Sequence, residues 1–313
     1  MKKVLVTGAA GFIGFHVCKH LVEYGHQVVG FDSYNDYLYP SELKYKRAEI
    51  LNSEYGIVVP NMDLKNPKDL DWIFNLMEYD NVIHLGAMAG VRDSLENAHL
   101  YIENNAMGTL NLIREMEKRE TPSVIFASTS CVMHGNPLPW GDTQYLYPQI
   151  NPYGYTKYIN ESQFDISNIP NAMGIRFFTV YGPWGRPDMA LFNFTKNILN
   201  GNPVKLYNYG KMKRDFTYVD DIVQGIMCVF NNQTKRDMYN LGYGNQVDLF
   251  DFVKAIEHST GKKAEIELAP KHPADALETW SDTSKIEKIG YKATTSVEEG
   301  VDKFVQWYKG FYN

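Results

Sequence analysis

Little in this sequence points to a disulfide framework, a membrane segment or a nucleic-acid partner. Its three cysteines, Cys18, Cys131 and Cys228, are scattered over 313 residues, and neither their odd number nor their spacing fits disulfide pairs or a zinc site. No apolar run has the length that crosses a bilayer. The net charge is −6 and no long basic stripe occurs, which argues against nucleic acid. We therefore expect a cytoplasmic protein without a metal site and without membrane or nucleic-acid contacts.

The order of apolar patterns in the first half of the chain favours an α/β fold. Short apolar strands alternate with helical patterns in the order KVLVT, FIGFHVCKHLVEYG, HQVVGFDS, IVVPNMD, DLDWIFNLM, NVIHLGA, ENNAMGTLNLIREMEK and SVIFASTS. Strands that are apolar almost throughout belong to parallel sheets covered on both faces. The sequence therefore predicts a Rossmann-type doubly wound parallel sheet, with ligands at the carboxyl ends of its strands.

The segment TGAAGFIG places Gly8, Gly11 and Gly14 between a predicted strand and a predicted helix. Such glycines permit a tight turn and a close approach of the backbone to a pyrophosphate, which the helix N-terminus then holds. Asp32 ends the second strand, where a carboxylate accepts hydrogen bonds from an adenosine ribose and repels a 2′-phosphate. The sequence therefore predicts NAD rather than NADP. The neighbouring residues assigned to the cofactor are Phe12, Ile13 and Asn35.

The amino-acid composition of the chain changes after about residue 180. Proline, glycine, asparagine and aromatic residues become frequent in VYGPWGRPDMALFNF and NGNPVKLYNYGKMKRDF, which is typical of loops around a ligand. We predict an NAD-binding Rossmann domain over residues 1–180, to which some later segments return. Residues 181–313 are predicted to form a smaller C-terminal substrate-binding lobe.

Three tyrosines lie in the segment INPYGYTKYIN, but only one has the right spacing from Lys157. A tyrosine that acts as a general base must lose its proton near neutral pH, far below its usual pKa of about 10, and a nearby cation favours that loss. Residues four apart on a helix share a face. Tyr153 has this spacing from Lys157, whereas Tyr155 and Tyr158 face elsewhere. The sequence therefore predicts Tyr153 as the base.

Taken together, TGAAGFIG, NMDL, VIHLGA, YIENN, ASTS and YGYTK resemble the extended short-chain dehydrogenase/reductases, the group of nucleotide-sugar epimerases and dehydratases, over essentially the whole chain. The resemblance implies that Thr129 bridges the reacting hydroxyl and completes a catalytic set with Tyr153 and Lys157, and that Lys157 also binds the nicotinamide ribose. It assigns further cofactor contacts to Asp63, Leu64, Leu85, Ala87, Asn104 and Phe177. For the apolar members of that group, a plain core role is the alternative.

Two differences from the family, both located shortly after Thr129, distinguish this chain within the group. Dehydratases and related decarboxylases of the family typically have an acidic residue where this chain has Cys131, so elimination of water is disfavoured, and we expect the cysteine to be a lining or packing residue. The family usually has VYG where this chain has VMHG. The geometry of the loop around Met133 and His134 is therefore left open by the sequence.

The later segments RFFTVYGPWGRPDMALFNFTKNIL, LYNYGKMKRDFTYVDDI and ETWSDTSK resemble the UDP-glucuronate 4-epimerases. That resemblance implies a UDP-sugar substrate and inversion at C4 through a 4-keto sugar, with NAD regenerated in each cycle. It places Arg214 at the diphosphate, Tyr207 at the uracil and Asp275 at the uridine ribose. His272 stands where related galactose epimerases have an arginine near the phosphates.

The carboxylate of the sugar is expected at Thr179 and Arg186, with Arg92 and Ser130 as further candidates. A guanidinium suits this role because two parallel charge-assisted hydrogen bonds fix both the charge and the orientation of a carboxylate. An ion pair between Arg186 and Asp188 is the alternative interpretation.

Three other functions stay open at this point: a UDP-glucuronate decarboxylase, a C4 epimerase of neutral UDP-hexoses, and a catalytically silent NAD-binding regulator on the same fold. The intact set of Thr129, Tyr153 and Lys157 argues against a protein without catalytic activity. The resemblance also implies a homodimer, in which a helix around residues 100–118 and the helix that begins near Tyr153 pack against their copies.

Overall fold

The chain folds into alternating strands and helices. The structure, a computed structural model, describes residues 1–144 and 148–312. The strands are β1 (Lys3–Thr7), β2 (Gln27–Phe31), β3 (Asn81–His84), β4 (Ser123–Thr129), β5 (Asn171–Phe177), β6 (Thr179–Tyr181), β7 (Val204–Leu206), β8 (Lys213–Arg214), β9 (Phe216–Tyr218), β10 (Arg236–Leu241), β11 (Val247–Asp248) and β12 (Ile266–Leu268).

The helices cover both faces of the sheet and much of the later part of the chain. They are α1 (Phe12–Glu23), α2 (Glu42–Tyr55), α3 (Pro67–Asn75), α4 (Asp93–Glu96), α5 (Ala98–Tyr101), α6 (Gly108–Lys118), α7 (Pro152–Asp165), α8 (Ala190–Asn200), α9 (Val219–Asn231), α10 (Leu249–Thr260), α11 (Ser284–Glu287) and α12 (Val297–Tyr312). A π-helical segment, Ile102–Met107, joins α5 to α6. Within the two described stretches, every helix is too short or too polar to cross a membrane.

In the described part of the chain, six parallel strands form one sheet in the order β10-β5-β4-β3-β1-β2. Successive side chains of a strand point to opposite faces, and both faces are buried here. On β4, Ile125 joins the larger core together with α1 and α9, whereas Val124 and Phe126 join the second core together with α3 and α6. The predicted Rossmann-type α/β fold is therefore confirmed.

One predicted strand does not form. The segment IVVPNMD makes only an isolated parallel bridge between Asp32 and Asn61. The N–H of Asp32 donates to the carbonyl of Pro60 at 3.3 Å, and the N–H of Met62 donates to the carbonyl of Asp32 at 3.0 Å. Proline has no N–H to give to a ladder. The prediction of a strand here is wrong, and the chain touches the edge of the sheet only beside Asp32.

Two later elements join the first half of the chain. Strand β10 pairs with β5 along its whole length, and α9 packs against α1. Other later strands form short pairs of their own: β6 with β9, β7 with β12 and β8 with β11. The sheet therefore draws its edge strand from beyond residue 180. The proposed division of the chain at residue 180 stays a prediction.

Candidate active site

The carboxyl ends of the parallel strands open into a cavity of about 900 Å³. Every predicted site residue lines it. From the predicted cofactor and catalytic sets these are Gly8, Gly11, Phe12, Ile13, Gly14, Asp32, Asn35, Asp63, Leu64, Leu85, Ala87, Asn104, Thr129, Tyr153, Lys157 and Phe177. From the predicted substrate set they are Arg92, Ser130, Thr179, Arg186, Tyr207, Arg214 and Asp275. The fold thus brings together residues from nearly the whole length of the chain.

At one end of the cavity, the glycine loop runs against other backbone. Gly8 has a φ of +70°, and a Cβ there would lie 2.8 Å from the nitrogen of Gly86. A Cβ on Gly14 would lie 2.1 Å from the carbonyl oxygen of Gly8. These positions therefore require glycine. The loop leads directly into α1, whose N-terminal amides suit a diphosphate.

Asp32 lies buried at the end of β2 and accepts a hydrogen bond from the N–H of Tyr34 at 2.9 Å. Burial raises the pKa of this carboxyl, and the charge of Lys44 opposes that rise. Lys44 donates from Nζ to the carbonyl oxygen of Asn35 and also lines the cavity. Sequence reasoning missed Lys44 because the run KYKR on α2 has the pattern of a solvated helix face.

A buried asparagine supports the wall of the cavity and was also missed. Asn105 accepts a hydrogen bond from the N–H of Met88 at 2.8 Å and donates to the carbonyl of Met88 at 2.9 Å. Its Nδ2 also lies 3.0 Å from Oγ1 of Thr156 on α7. Asn105 thereby ties the loop after β3 to the helix that carries Tyr153. The preceding residue, Asn104, lines the cavity. Of the two asparagines of YIENN, the first therefore faces the site and the second supports its wall.

The predicted catalytic residues meet in the middle of the cavity. Tyr153 lies on the first turn of α7 and Thr129 lies at the end of β4, where it acts to lower the pKa of the tyrosine. Lys157 lies one turn further along α7 and donates from Nζ to the carbonyl of Ala127 at 3.0 Å. The neighbouring Ser128 turns away and donates to Glu161. Because β4 ends at Thr129, the predicted alternation does not extend to Ser130, which begins a 3₁₀ turn and also lines the cavity.

Burial raises the pKa of Tyr153 to about 12 and lowers the pKa of Lys157 to about 8. Thr129 and the positive charge of Arg186 both act to lower the pKa of Tyr153 and so oppose the effect of burial. The Lys157 amine is buried and donates to the carbonyl of Ala127, and its role as the cation that brings the tyrosine to neutral pH stays a prediction.

At the other end of the cavity, three predicted substrate residues contact one another. Arg92 binds Asp275 by both oxygens, with Nε–Oδ1 and Nη2–Oδ2 distances of 3.1 and 2.7 Å. The guanidinium carbon of Arg92 also lies 3.9 Å from the centre of the Tyr207 ring. Arg92 therefore pairs with the residues predicted at the uridine. Beside them, Arg214 donates to the carbonyls of Ala276 and Leu277 at 2.7 and 3.0 Å.

Arg186 binds Asp188, as the alternative interpretation anticipated. Its Nε and Nη2 lie 3.0 and 2.6 Å from the two oxygens of Asp188, and its Nη1 lies 3.0 Å from the carbonyl of Ala89. Both members of this ion pair line the cavity. The pair is therefore part of the site rather than an isolated surface contact.

The loop that carries Arg186 is fixed by one residue of α1 and one residue of α2. The ring Nε2 of His16 lies 3.0 Å from the carbonyl of Pro183. Arg47, which is fully buried, donates to the carbonyls of Trp184 and, in the glycine loop, Ala10, at 2.5 and 3.0 Å. Sequence reasoning missed both residues because nothing in their local pattern distinguishes them from other helix residues.

The loop after β4 replaces the family's usual tyrosine with apolar packing. Met133 is fully buried in a small cluster with Val132, Trp140 and Phe178. Cys131 lines the cavity, and burial raises the pKa of its thiol, which fits the predicted lining role. His272, by contrast, does not line the cavity.

The fold and the cavity define a Rossmann-type protein with a dinucleotide-type glycine loop next to a Thr–Tyr–Lys set. The chain belongs to the NAD dependent epimerase/dehydratase family, whose sequence profile matches residues 4–242. It is 37% identical to the UDP-glucuronate 4-epimerase of Thermodesulfobacterium geofontis, over 97% of this chain and 95% of that protein. It is also 37% identical to UDP-glucuronate 4-epimerase 1 of Arabidopsis thaliana, over 99% of this chain and 77% of that protein.

A solved structure agrees with these sequence relatives. The UDP-glucuronic acid 4-epimerase from Bacillus cereus, crystallised with UDP-glucuronic acid and NAD, superposes with a TM-score of 0.93. Its sequence is 31% identical, and the match covers 99% of this chain and all of that chain.

Proposed function

We propose that the protein is an NAD-dependent UDP-glucuronate 4-epimerase, which interconverts UDP-glucuronate and UDP-galacturonate through a 4-keto sugar. The observation that carries this proposal is the single cavity in which the glycine loop, the Thr129–Tyr153 pair and the Arg186 guanidinium meet. The named epimerases among its relatives support the same substrate.

The glycine loop and Asp32 give the cavity the shape and charge that NAD binding requires. The space beside Gly8 and Gly14 excludes even a Cβ atom, which leaves backbone amides to face a diphosphate. Asp32 offers a buried carboxylate to a ribose diol and repels a 2′-phosphate. Bound there, NAD would supply a hydride acceptor and donor for C4, and its positive nicotinamide would favour the phenolate of Tyr153.

The chain's own residues then handle the proton. Tyr153 takes the proton of the C4 hydroxyl and later returns it, while Thr129 steadies the reacting oxygen. Lys157, whose pKa burial lowers to about 8, holds a positive charge near the tyrosine at neutral pH. Since Cys131 provides no carboxylate, the site lacks the acid at this position that would favour elimination. Inversion then requires the keto sugar to turn its other face before reduction.

The carboxylate of the substrate is assigned to Arg186 and Thr179, with Ser130 as a further donor. Oxidation at C4 places a ketone β to the C6 carboxylate, and such acids lose carbon dioxide when the breaking bond aligns with the carbonyl π system. A guanidinium that holds the carboxylate in a fixed orientation opposes that alignment. We therefore expect little decarboxylation in the wild-type protein.

The uridine diphosphate is assigned to the opposite end of the cavity. Tyr207 stacks on Arg92 and thereby presents a flat surface suited to a uracil. Asp275 offers oxygens to the uridine ribose, and the charge of Arg214 suits the diphosphate.

We also propose a homodimer. The π-helical segment and α7 carry apolar side chains that are well exposed in the single chain, namely Ile102, Met107, Tyr155 and Tyr158. Such a patch on two neighbouring helices is suited to packing against its own copy. Sedimentation should give a dimer at micromolar concentration, and a monomer there would contradict the proposal.

The decisive experiment is incubation with UDP-glucuronate without added cofactor, followed by product analysis by NMR. UDP-galacturonate supports the proposal, and UDP-4-keto-pentose as main product identifies a decarboxylase. Equal turnover of UDP-glucose identifies a neutral-sugar epimerase. Retained NAD without any turnover identifies a silent regulator.

A further inference from the structure

We infer that Asp188 is a positioning residue that makes the site selective for a sugar carboxylate, because it holds the Arg186 guanidinium with its terminal edge open. The inference rests on the proposed function, since it assigns a specificity role within that site. Asp188 itself is not expected to touch the reacting atoms.

The hydrogen bonds of Arg186 leave one edge of its guanidinium available. A guanidinium has five N–H donors in a fixed planar fork. Asp188 takes one from Nε and one from Nη2, and the carbonyl of Ala89 takes one from Nη1. Among residues 1–144 and 148–312, no further acceptor is in hydrogen-bond contact with it. One hydrogen on Nη1 and one on Nη2 therefore have no acceptor among these residues, and bidentate binding of a second carboxylate at the terminal edge uses one hydrogen from each of these two nitrogens.

Asp188 determines the plane in which this open edge lies. A bidentate contact on the Nε side prevents rotation of the guanidinium about its long side chain, so less conformational entropy is lost when a second carboxylate binds. The Arg186 side chain is only 16% exposed. The same contact therefore gives this largely desolvated charge a counter-charge when a neutral sugar or no sugar is present.

The backbone beneath this pair is also fixed. The N–H of Gly185 donates to the carbonyl of Gly182 at 3.0 Å, and the N–H of Met189 donates to the carbonyl of Arg186 at 3.1 Å. With the contacts of His16 and Arg47 to the same loop, the remaining freedom of Arg186 is in its side chain. Asp188 restricts that freedom.

The inference is tested by binding rather than turnover alone. In a Tyr153→Phe background that holds NAD, the affinities for UDP-glucuronate and UDP-glucose are measured by calorimetry, with and without Asp188→Asn. We expect the preference for UDP-glucuronate to fall about tenfold, with the affinity for UDP-glucose unchanged. In otherwise wild-type protein, Asp188→Asn should raise the KM for UDP-glucuronate more than it lowers kcat and should raise the share of UDP-4-keto-pentose.

Two variants separate positioning from a general structural effect. Asp188→Glu keeps a carboxylate and should recover part of the preference. Asp71→Asn removes the partner of Arg119 in an ion pair with a distance of 2.9 Å that does not line the cavity, and it should leave both affinities unchanged.

The possible outcomes are distinct. A preference that is unchanged in Asp188→Asn overturns the inference alone, and a stronger preference shows instead that Asp188 competes with the substrate. A wild-type protein without any preference for the uronate overturns both the inference and the proposed function.

Discussion

The two ends of the cavity are built in different ways. The cofactor end is made largely of neighbouring residues, because Gly8, Gly14 and Asp32 come from one strand–helix–strand unit and are constrained by backbone contacts. The uridine end is assembled from side chains far apart in the chain, such as Arg92 and Asp275, which are 183 residues apart and joined by an ion pair.

This difference predicts two kinds of sensitivity. A backbone that touches backbone leaves no room for an added atom, so a small change at the cofactor end forces the chain to move. A side-chain ion pair that is partly exposed contributes modestly and can be rearranged. Substitutions at the cofactor and catalytic positions should therefore abolish function, whereas substitutions at the uridine end should weaken binding by degrees.

The largest effect is expected at the junction of the two ends. Tyr153→Phe should lower kcat about 10³-fold, because it removes the group that carries the proton while it preserves the packing of the ring. NAD content and substrate affinity should stay close to wild type. Turnover of UDP-glucuronate and the NAD released on denaturation are the measurements.

Tyr155→Phe and Tyr158→Phe are the matched controls, since these rings are 48% and 39% exposed. Both should retain activity within about twofold. If Tyr155→Phe were the inactive variant, the assignment of the base from helical spacing would be wrong.

Gly14→Ala tests the backbone-built end. Its Cβ would lie 2.1 Å from the carbonyl of Gly8, and overpacking of this kind costs about 1–3 kcal/mol, or up to about a hundredfold in NAD affinity. Gly310→Ala places a Cβ in open space and should not alter it. Equal NAD affinity in the two variants would show that the loop tolerates side chains.

Lys157→Met should raise the stability of the cofactor-free protein at pH 7 while it abolishes activity. The folded protein holds the pKa of Lys157 at about 8, below its ordinary value of 10.5. The unfolded chain therefore binds more protons between those values, so wild-type stability rises with pH across that window. At pH 7, the variant without cofactor should be more stable by about 1–3 kcal/mol, after the lost hydrogen bond to Ala127 is subtracted.

Urea unfolding of the cofactor-free protein at pH 7 and pH 10 measures this effect, and Lys46→Met on the exposed face of α2 is the control. Turnover by Lys157→Met should be lost. A variant that is less stable than wild type at pH 7 would show that the buried lysine is compensated by other contacts.

The smallest effect is expected at the uridine end. Asp275→Asn should raise the KM for UDP-glucuronate about tenfold with little change in kcat, because the residue is assigned to the uridine ribose, a part of the substrate that does not react. Asp251→Asn, which breaks the exposed pair with Lys254, should leave KM unchanged. A large fall in kcat for Asp275→Asn would mean that the two ends are not separable.

Much of the fold and site follows from local sequence patterns. Tyr153 and Lys157 are one helical turn apart, and the glycines lie between the first strand and the first helix, so spacing together with the predicted elements points to them. The strand predicted over IVVPNMD fails because pairing at a sheet edge depends on how the incoming chain is directed and on Pro60, which has no N–H to donate.

By itself, the sequence determined the alternation of strands and helices and the preference for NAD, and it predicted Tyr153 among three tyrosines as the base. These depend on periodicity and on contacts between residues close in the chain. Only the tertiary structure decided that Arg92 faces Asp275, that Asp188 holds Arg186 and that burial raises the pKa of Tyr153 to about 12. Those properties depend on which distant side chains exclude water and share charge, and no spacing along the chain encodes that directly.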